Sequence, residues 1–269
     1  MRAGSKQILL ITIAVLVTVL LYLAPQKVKR KDSPEKASYS FEGKLDEAKS
    51  RLKRQEADQV ANVEAALAKD PSSIPLNDSL ARVWDRLNKP ALSAHYYEEV
   101  AKAGQGEKNW INVAYRYFDA FKEAGDSAER KMMVEKAINA YKQVLEINPD
   151  NLDAKTDLGL CYAEGTSSPM EGIMLLRDVV EKNPNHLTAQ FNLGILSVRS
   201  GQYEKAVERF EKVLQIDKTN KDARLLLSKT YLMMGKKDLA LQNLEKLEDS
   251  GDAGFNQEVN TLINQIKNN

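Results

Sequence analysis

Few side chains in this sequence are of the types that carry out nucleophilic or metal chemistry. Its 269 residues include one cysteine and two histidines. Cys161 has no lysine, arginine or histidine within four residues, and the nearby Asp157 and Glu164 disfavour a thiolate, so we expect a buried thiol. His95 and His186 lack companions at metal-ligand spacing, so the sequence predicts no metal site.

Glycine and charge patterns also argue against several classes of function. The segment Gly104-Gln105-Gly106 lacks the third glycine and the preceding strand of a phosphate-binding loop, and it predicts a turn. No set of nucleophile, base and oxyanion donor is visible, so we predict no enzyme, no cofactor and no small-molecule substrate; a set that converges only in space would change this prediction. The formal net charge is +1, with basic residues clustered before residue 41. The rest is mildly acidic and does not suit a nucleic-acid backbone.

The apolar stretch 8–24, ILLITIAVLVTVLLYLA, carries no charge. As a helix it would reach about 26 Å, near the lower limit for spanning a bilayer core. Because no convincing small-residue cleavage site follows, we predict an uncleaved transmembrane anchor, with a short basic tail at 1–7 and a basic linker at 25–40. A cleaved signal peptide and a buried core helix are the alternatives.

Charges around this stretch leave the orientation of the predicted single-pass membrane protein open. The basic residues of 27–31 favour a cytoplasmic body under the positive-inside rule. The short positive tail before the span is instead typical of a signal anchor that exports the remainder of its chain. We expect the bulk of the chain on the exported, periplasmic side.

The body is predicted to be all-α. Residues 41–70 show helical apolar spacing and read as one N-terminal helix that ends at Asp70-Pro71, and no alternating β-branched run appears. The pairs Leu158-Gly159, Leu193-Gly194 and Leu227-Ser228 recur 35 and 34 residues apart. A second small residue follows each pair, at Gly172, Ala206 and Ala240. A period near 34 indicates a solenoid in which two helices approach closely through small residues.

These residues resemble the tetratricopeptide repeat family. In unit 187–220, the segment from Gly201 to Ala206 resembles the family's turn into the second helix, with Gly201 in the left-handed conformation. The resemblance implies a right-handed solenoid of helical hairpins. Its five units are 74–107, 107–150, 152–186, 187–220 and 221–254, followed by a capping helix at 255–269. Unit 107–150 holds eleven extra residues that would lengthen its helices.

The family resemblance further implies that a peptide or helix of another protein binds in a concave groove lined by the first helices. The predicted groove residues flank the small residue of each first helix: Phe191, Asn192, Ile195, Arg199, Thr156, Asp157, Leu160, Leu225, Lys229 and Leu232. The clamp of Lys, Arg and Asn that some members use for a terminal carboxylate is not matched. Phe191 could instead pack on a neighbouring unit, and the aromatic-rich stretch 84–118 could be core or a second candidate surface.

The sequence therefore predicts a membrane-anchored scaffold for protein–protein interaction. The alternative is a membrane-tethered assembly or chaperone-like factor for envelope proteins or c-type cytochromes, which the chain resembles only in layout.

Overall fold

The structure, a computed structural model, describes residues 40–104, 106–247 and 251–268. The predicted tail, the predicted anchor and nearly all of the predicted linker lie outside these residues. In the described part of the chain, no helix combines the length and the apolar character needed to cross a membrane.

The described residues form helices and no strand, so the all-α prediction is confirmed. In the described part of the chain, the first two helices are α1 (Phe41–Ser50) and α2 (Arg54–Leu67). Five antiparallel pairs and a last helix follow: α3 (Ile74–Arg86) and α4 (Pro90–Gly104), α5 (Glu107–Glu123) and α6 (Ser127–Ile147), α7 (Leu152–Gly165) and α8 (Pro169–Lys182), α9 (Leu187–Arg199) and α10 (Tyr203–Ile216), α11 (Lys221–Met233) and α12 (Lys237–Leu244), and α13 (Ala253–Lys267).

The expectation of one helix over 41–70 is wrong. The break falls at Lys53, whose backbone is extended, and the Glu56 carboxylate accepts a hydrogen bond from its N–H at 3.0 Å. This capping interaction starts a new helix. The break lets α1 pack on α4, where the Phe41 ring lies 3.8 Å from the His95 ring, while α2 packs on α3 through the buried Val60.

Close approach within the pairs depends on small residues, as the repeat spacing predicts. A Cβ on Gly172 of α8 would lie 2.2 Å from the carbonyl oxygen of Gly159 in α7. A Cβ on Gly194 of α9 would lie 2.7 Å from the ring of Phe210 in α10. Gly201 has φ +71°, as predicted for the turn between α9 and α10.

The starts of three first helices are capped at equivalent positions. The Asn151 side chain accepts a hydrogen bond from the N–H of Ala154, and Asn220 does the same for Ala223. At the equivalent position, His186 Nδ1 accepts from the N–H of a third buried alanine at 3.3 Å. This histidine therefore has a structural role in helix initiation.

Unit 107–150 has the longest pair, with 17 residues in α5 and 21 in α6, as its extra residues predict. The buried core is divided along the chain. One large cluster runs from α1 to α7, and three smaller clusters follow around Leu176, Phe210 and Leu244.

Candidate partner-binding surface

The first helices of successive pairs lie side by side. Helix α9 contacts both α7 and α11, and α7 also contacts α5. We call the face formed by α5, α7, α9 and α11 the first-helix surface. It is where the family resemblance places a binding groove.

Two predicted groove residues are buried, and their assignment as partner contacts is wrong. Thr156 is 1% exposed, and its hydroxyl donates to the carbonyl of Leu152 in its own helix. Leu225 is 6% exposed and packs with Leu244 and Val259. Leu225 is buried because α13, which carries Val259, covers the last helix pair.

The apolar members of the predicted groove are half-buried. The ring of Phe191 packs edge-on against Phe210 at 6.0 Å between centroids. Ile195 and Leu232 pack against the same cluster, and Leu160 joins the clusters on either side of α7. These side chains stabilise the solenoid and keep part of their surface in water.

The polar members already have partners within the chain. The Asn192 amide donates to the carbonyl of Thr188 at 2.8 Å. Arg199 lies 3.6 Å from Glu164 of α7, and Lys229 lies 2.5 Å from Glu258 of α13. Such exposed ion pairs contribute little stability, roughly 0–1 kcal/mol, so a partner can displace them at low cost.

Asp157 differs from these residues because the ion pairs found among the described residues do not include it. Its carboxylate accepts a hydrogen bond from the Tyr141 hydroxyl at 3.3 Å. Burial raises the pKa of Asp157 to about 6; the Tyr141 hydrogen bond opposes this rise and the charge of Asp153 adds to it. Lys122 and His186 also oppose the rise. The carboxylate therefore sits in a poorly solvated position on α7 without an adjacent cation.

Tyr115 of α5 is a surface residue that the predicted groove omits. Its side chain is 39% exposed, and its ring meets that of Tyr141 edge-on at 6.1 Å. Burial and the charges of Asp157 and Asp153 raise the pKa of Tyr115. The repeat spacing could have identified it, because Tyr115 follows Val113 by two residues as Leu160 follows Leu158.

Most of the aromatic stretch 84–118 is core. Trp84, Tyr96, Tyr97 and Tyr117 are all buried. Trp110 is half-buried and Tyr115 reaches the surface, so the stretch contributes one well-exposed ring to the first-helix surface rather than a separate aromatic patch.

Cys161 and His95, the candidates for nucleophilic or metal chemistry, lie in surroundings typical of a protein core. Cys161 is fully buried, and burial raises the pKa of its thiol, with the charge of Asp157 adding to the effect. Burial lowers the pKa of His95, which packs between the rings of Phe41 and Tyr96. Within the described ranges, no group of three His, Cys, Asp or Glu side chains is arranged to hold a metal ion.

Three family models described as tetratricopeptide repeat match the chain, over residues 123–151, 167–223 and 197–266. The last match extends through most of α13. No curated protein matches the sequence.

Solved structures with the same fold include MamA (residues 41 to the end) from Desulfovibrio magneticus RS-1, with 16% identity and a TM-score of 0.52 over 64% of this chain and 92% of that one. The tetratricopeptide protein TTC0263 of Thermus thermophilus has 19% identity and a TM-score of 0.52 over 71% and 99%. Pseudomonas aeruginosa PilF has 17% identity and a TM-score of 0.52 over 80% and 98%.

Residues 123–151 and 167–266 thus match tetratricopeptide repeat models, and the all-helical fold resembles solenoids of this family. Repeats of this kind support a protein–protein interaction scaffold, which is generally not an enzyme.

Proposed function

We propose that this protein holds another protein on its first-helix surface. The observation that carries the proposal is the side-by-side arrangement of α5, α7, α9 and α11. Along this face, half-buried apolar side chains lie beside weakly paired polar ones, of which Ile195 and Arg199 are examples. A peptide or helix can cover such apolar surface and exchange the exposed ion pairs for its own.

A photo-crosslinking amino acid placed at the exposed Thr188 of α9 tests this proposal in the full chain. The matched control places it at Gln242, which is exposed on the second helix α12. We expect one protein, identified by mass spectrometry, to crosslink from position 188 and not from position 242. The double substitution Asn192→Ala and Arg199→Ala should weaken that crosslink while circular dichroism stays unchanged. Equal crosslinking from both positions would reject the first-helix surface.

We also propose that residues 8–24 anchor the chain in a membrane with its body on the exported side. The support is the uncharged apolar stretch and the short positive tail before it. The full-length protein should then remain in the pellet after carbonate extraction, and protease added to intact spheroplasts should digest the body. Release by carbonate would disprove the anchor, and protection of the body until lysis would reverse the orientation.

Nothing in the fold favours the alternative of an assembly factor for envelope proteins or c-type cytochromes over a general scaffold. Identification of the crosslinked partner distinguishes the two.

A further inference from the structure

A second candidate surface is a cleft between the second helices α8 and α10. Its volume is about 220 Å³, and part of α9 lies between its two walls. Its lining side chains come from α8, α9, α10 and the turn before α10: Ile173, Arg177, Leu193, Leu196, Ser197, Ser200, Gln202, Lys205 and Arg209.

Three cations and no carboxylate line this cleft. The ion pairs found in the described part of the chain do not include Arg177, Lys205 or Arg209, although α8 has a paired cation in Lys182, 4.0 Å from Asp178. The described body is mildly acidic overall, so this concentration of positive charge is local. Cations gathered around one cleft raise the concentration of an anionic partner there and select for negative groups.

A hydrogen bond to a buried residue orients the side chain of Arg209. Its Nη1 donates to Oε1 of Gln190 at 2.7 Å. Gln190 is 4% exposed, and its own amide donates to the carbonyl of Pro184 at 2.8 Å. The guanidinium therefore loses little additional conformational freedom when it meets an anion, and its other N–H groups stay available to bind a carboxylate.

The floor of the cleft and the surface leading to it are apolar. Leu193 is buried at the bottom, with Leu196 and Ile173 half-exposed above it. Next to Ile173 on α8, Met170 and Met174 are 62% and 63% exposed, which is high for large apolar side chains. Their spacing of four residues puts both on one side of the helix.

We propose that this cleft docks an acidic amphipathic segment of a protein partner. Carboxylates of the segment would meet Arg177, Lys205 and Arg209, and its apolar side chains would cover Ile173, Leu196 and Met174. A protein segment suits the cleft better than a lipid headgroup does, because the apolar surface lies inside and beside the cationic rim and needs side chains to fill it. The proposal does not rest on the first-helix surface, because its three cations lie on α8 and α10.

The test uses the full chain in neutral detergent and a fluorescent 12-residue helical peptide that carries Glu and Leu on one face. Its control peptide has every Glu replaced by Gln. We expect fluorescence anisotropy to show binding of the acidic peptide at least tenfold tighter than that of the control, weakening from 50 to 500 mM salt because the contact is electrostatic.

The double substitution Arg177→Ala and Lys205→Ala should weaken binding of the acidic peptide at least tenfold. The matched control, Lys218→Ala and Lys236→Ala, removes the same charge from exposed positions outside the cleft and should leave binding unchanged. Circular dichroism of both variants should equal that of the parent.

Equal loss of binding in both double variants would overturn the proposal, because only net charge would then matter. The absence of any preference for the acidic peptide would overturn it as well. Displacement of the peptide by dihexanoyl phosphatidylglycerol at a concentration below the peptide's own Kd would identify the cleft as a lipid site and reject protein docking.

Discussion

Replacing Gly172 by alanine tests how closely α7 and α8 approach. The new methyl group would lie 2.2 Å from the carbonyl oxygen of Gly159 and 2.7 Å from the backbone nitrogen of Ala163. Both obstacles are main chain and cannot turn aside, so the helices must separate by about 1 Å. Overpacking typically costs about 1–3 kcal/mol, and we expect Gly172→Ala to reach about 3 kcal/mol because no side chain can absorb the clash.

Two other glycines calibrate this expectation. In Gly194→Ala the methyl group would meet the Phe210 ring at 2.7 Å, and a ring can shift, so we expect a loss of about 1–2 kcal/mol. Gly125 has no atom within 4 Å of its would-be methyl group, and its φ lies outside the left-handed region. There, alanine should be neutral or should stabilise by about 0.5 kcal/mol, because it restricts the unfolded chain.

Urea unfolding followed by circular dichroism at 222 nm measures these effects. Because repeat arrays can unfold in parts, the midpoints and slopes of the three variants are compared rather than single fitted free energies. Gly125→Ala should be the most stable of the three variants, Gly194→Ala intermediate and Gly172→Ala the least stable. If Gly172→Ala unfolded at the same urea concentration as Gly125→Ala, the close approach of α7 and α8 would be refuted.

Three further substitutions test the electrostatics. Burial raises the pKa of Asp157 to about 6 from 3.8, so ionisation of this carboxyl destabilises the fold as pH rises through that range. Asp157→Asn should therefore be roughly 3 kcal/mol more stable than the parent at pH 8 and equal to it at pH 3. A gain in stability that is independent of pH would contradict this. Burial would raise the pKa of Glu98, but hydrogen bonds from Tyr117, Lys102 and Lys136 outweigh it and lower the pKa to about 2 from 4.5. The ionised carboxylate stabilises the fold above pH 4.5, and this stabilisation disappears as pH falls towards 2. Because solvent partly screens this carboxylate, Glu98→Gln should cost roughly 2 kcal/mol at pH 7 and nothing at pH 2 in the same urea assay. An undiminished cost at pH 2 would point to packing instead. Lys229→Ala breaks a largely exposed pair with Glu258 and should change the free energy of unfolding by less than about 1 kcal/mol; a larger loss would mean that this pair holds α13 in place.

The repeat period made the paired helices predictable because each small residue and each turn acts locally. Gly201 and Gly172 show the geometry that their positions in the period imply. The break at Lys53 was not predictable from apolar spacing, since it depends on the hydrogen bond from the Lys53 N–H to the Glu56 carboxylate, which starts α2. The burial of Leu225 likewise depends on where α13 packs, which the spacing within one unit does not determine.

The cationic cleft is a harder case for sequence reasoning. The three cations that line the cleft do not occupy equivalent positions of the repeat, and charged residues there are typical of solvated helix faces. They are Arg177 in one unit and Lys205 and Arg209 in the next. Only the stacking of α8 against α9 and α10 brings them around one space. The first-helix surface was easier to anticipate because its residues repeat with the period itself.

The division of the core into one large cluster and three smaller ones bears on how the molecule responds to tension. A force applied between the two ends would load these clusters in series, so the weakest yields first while the others stay intact. The C-terminal pairs, with the smaller clusters, would unravel before the long α5–α6 pair. Each loss would lengthen the molecule by a discrete step without detaching the remaining solenoid.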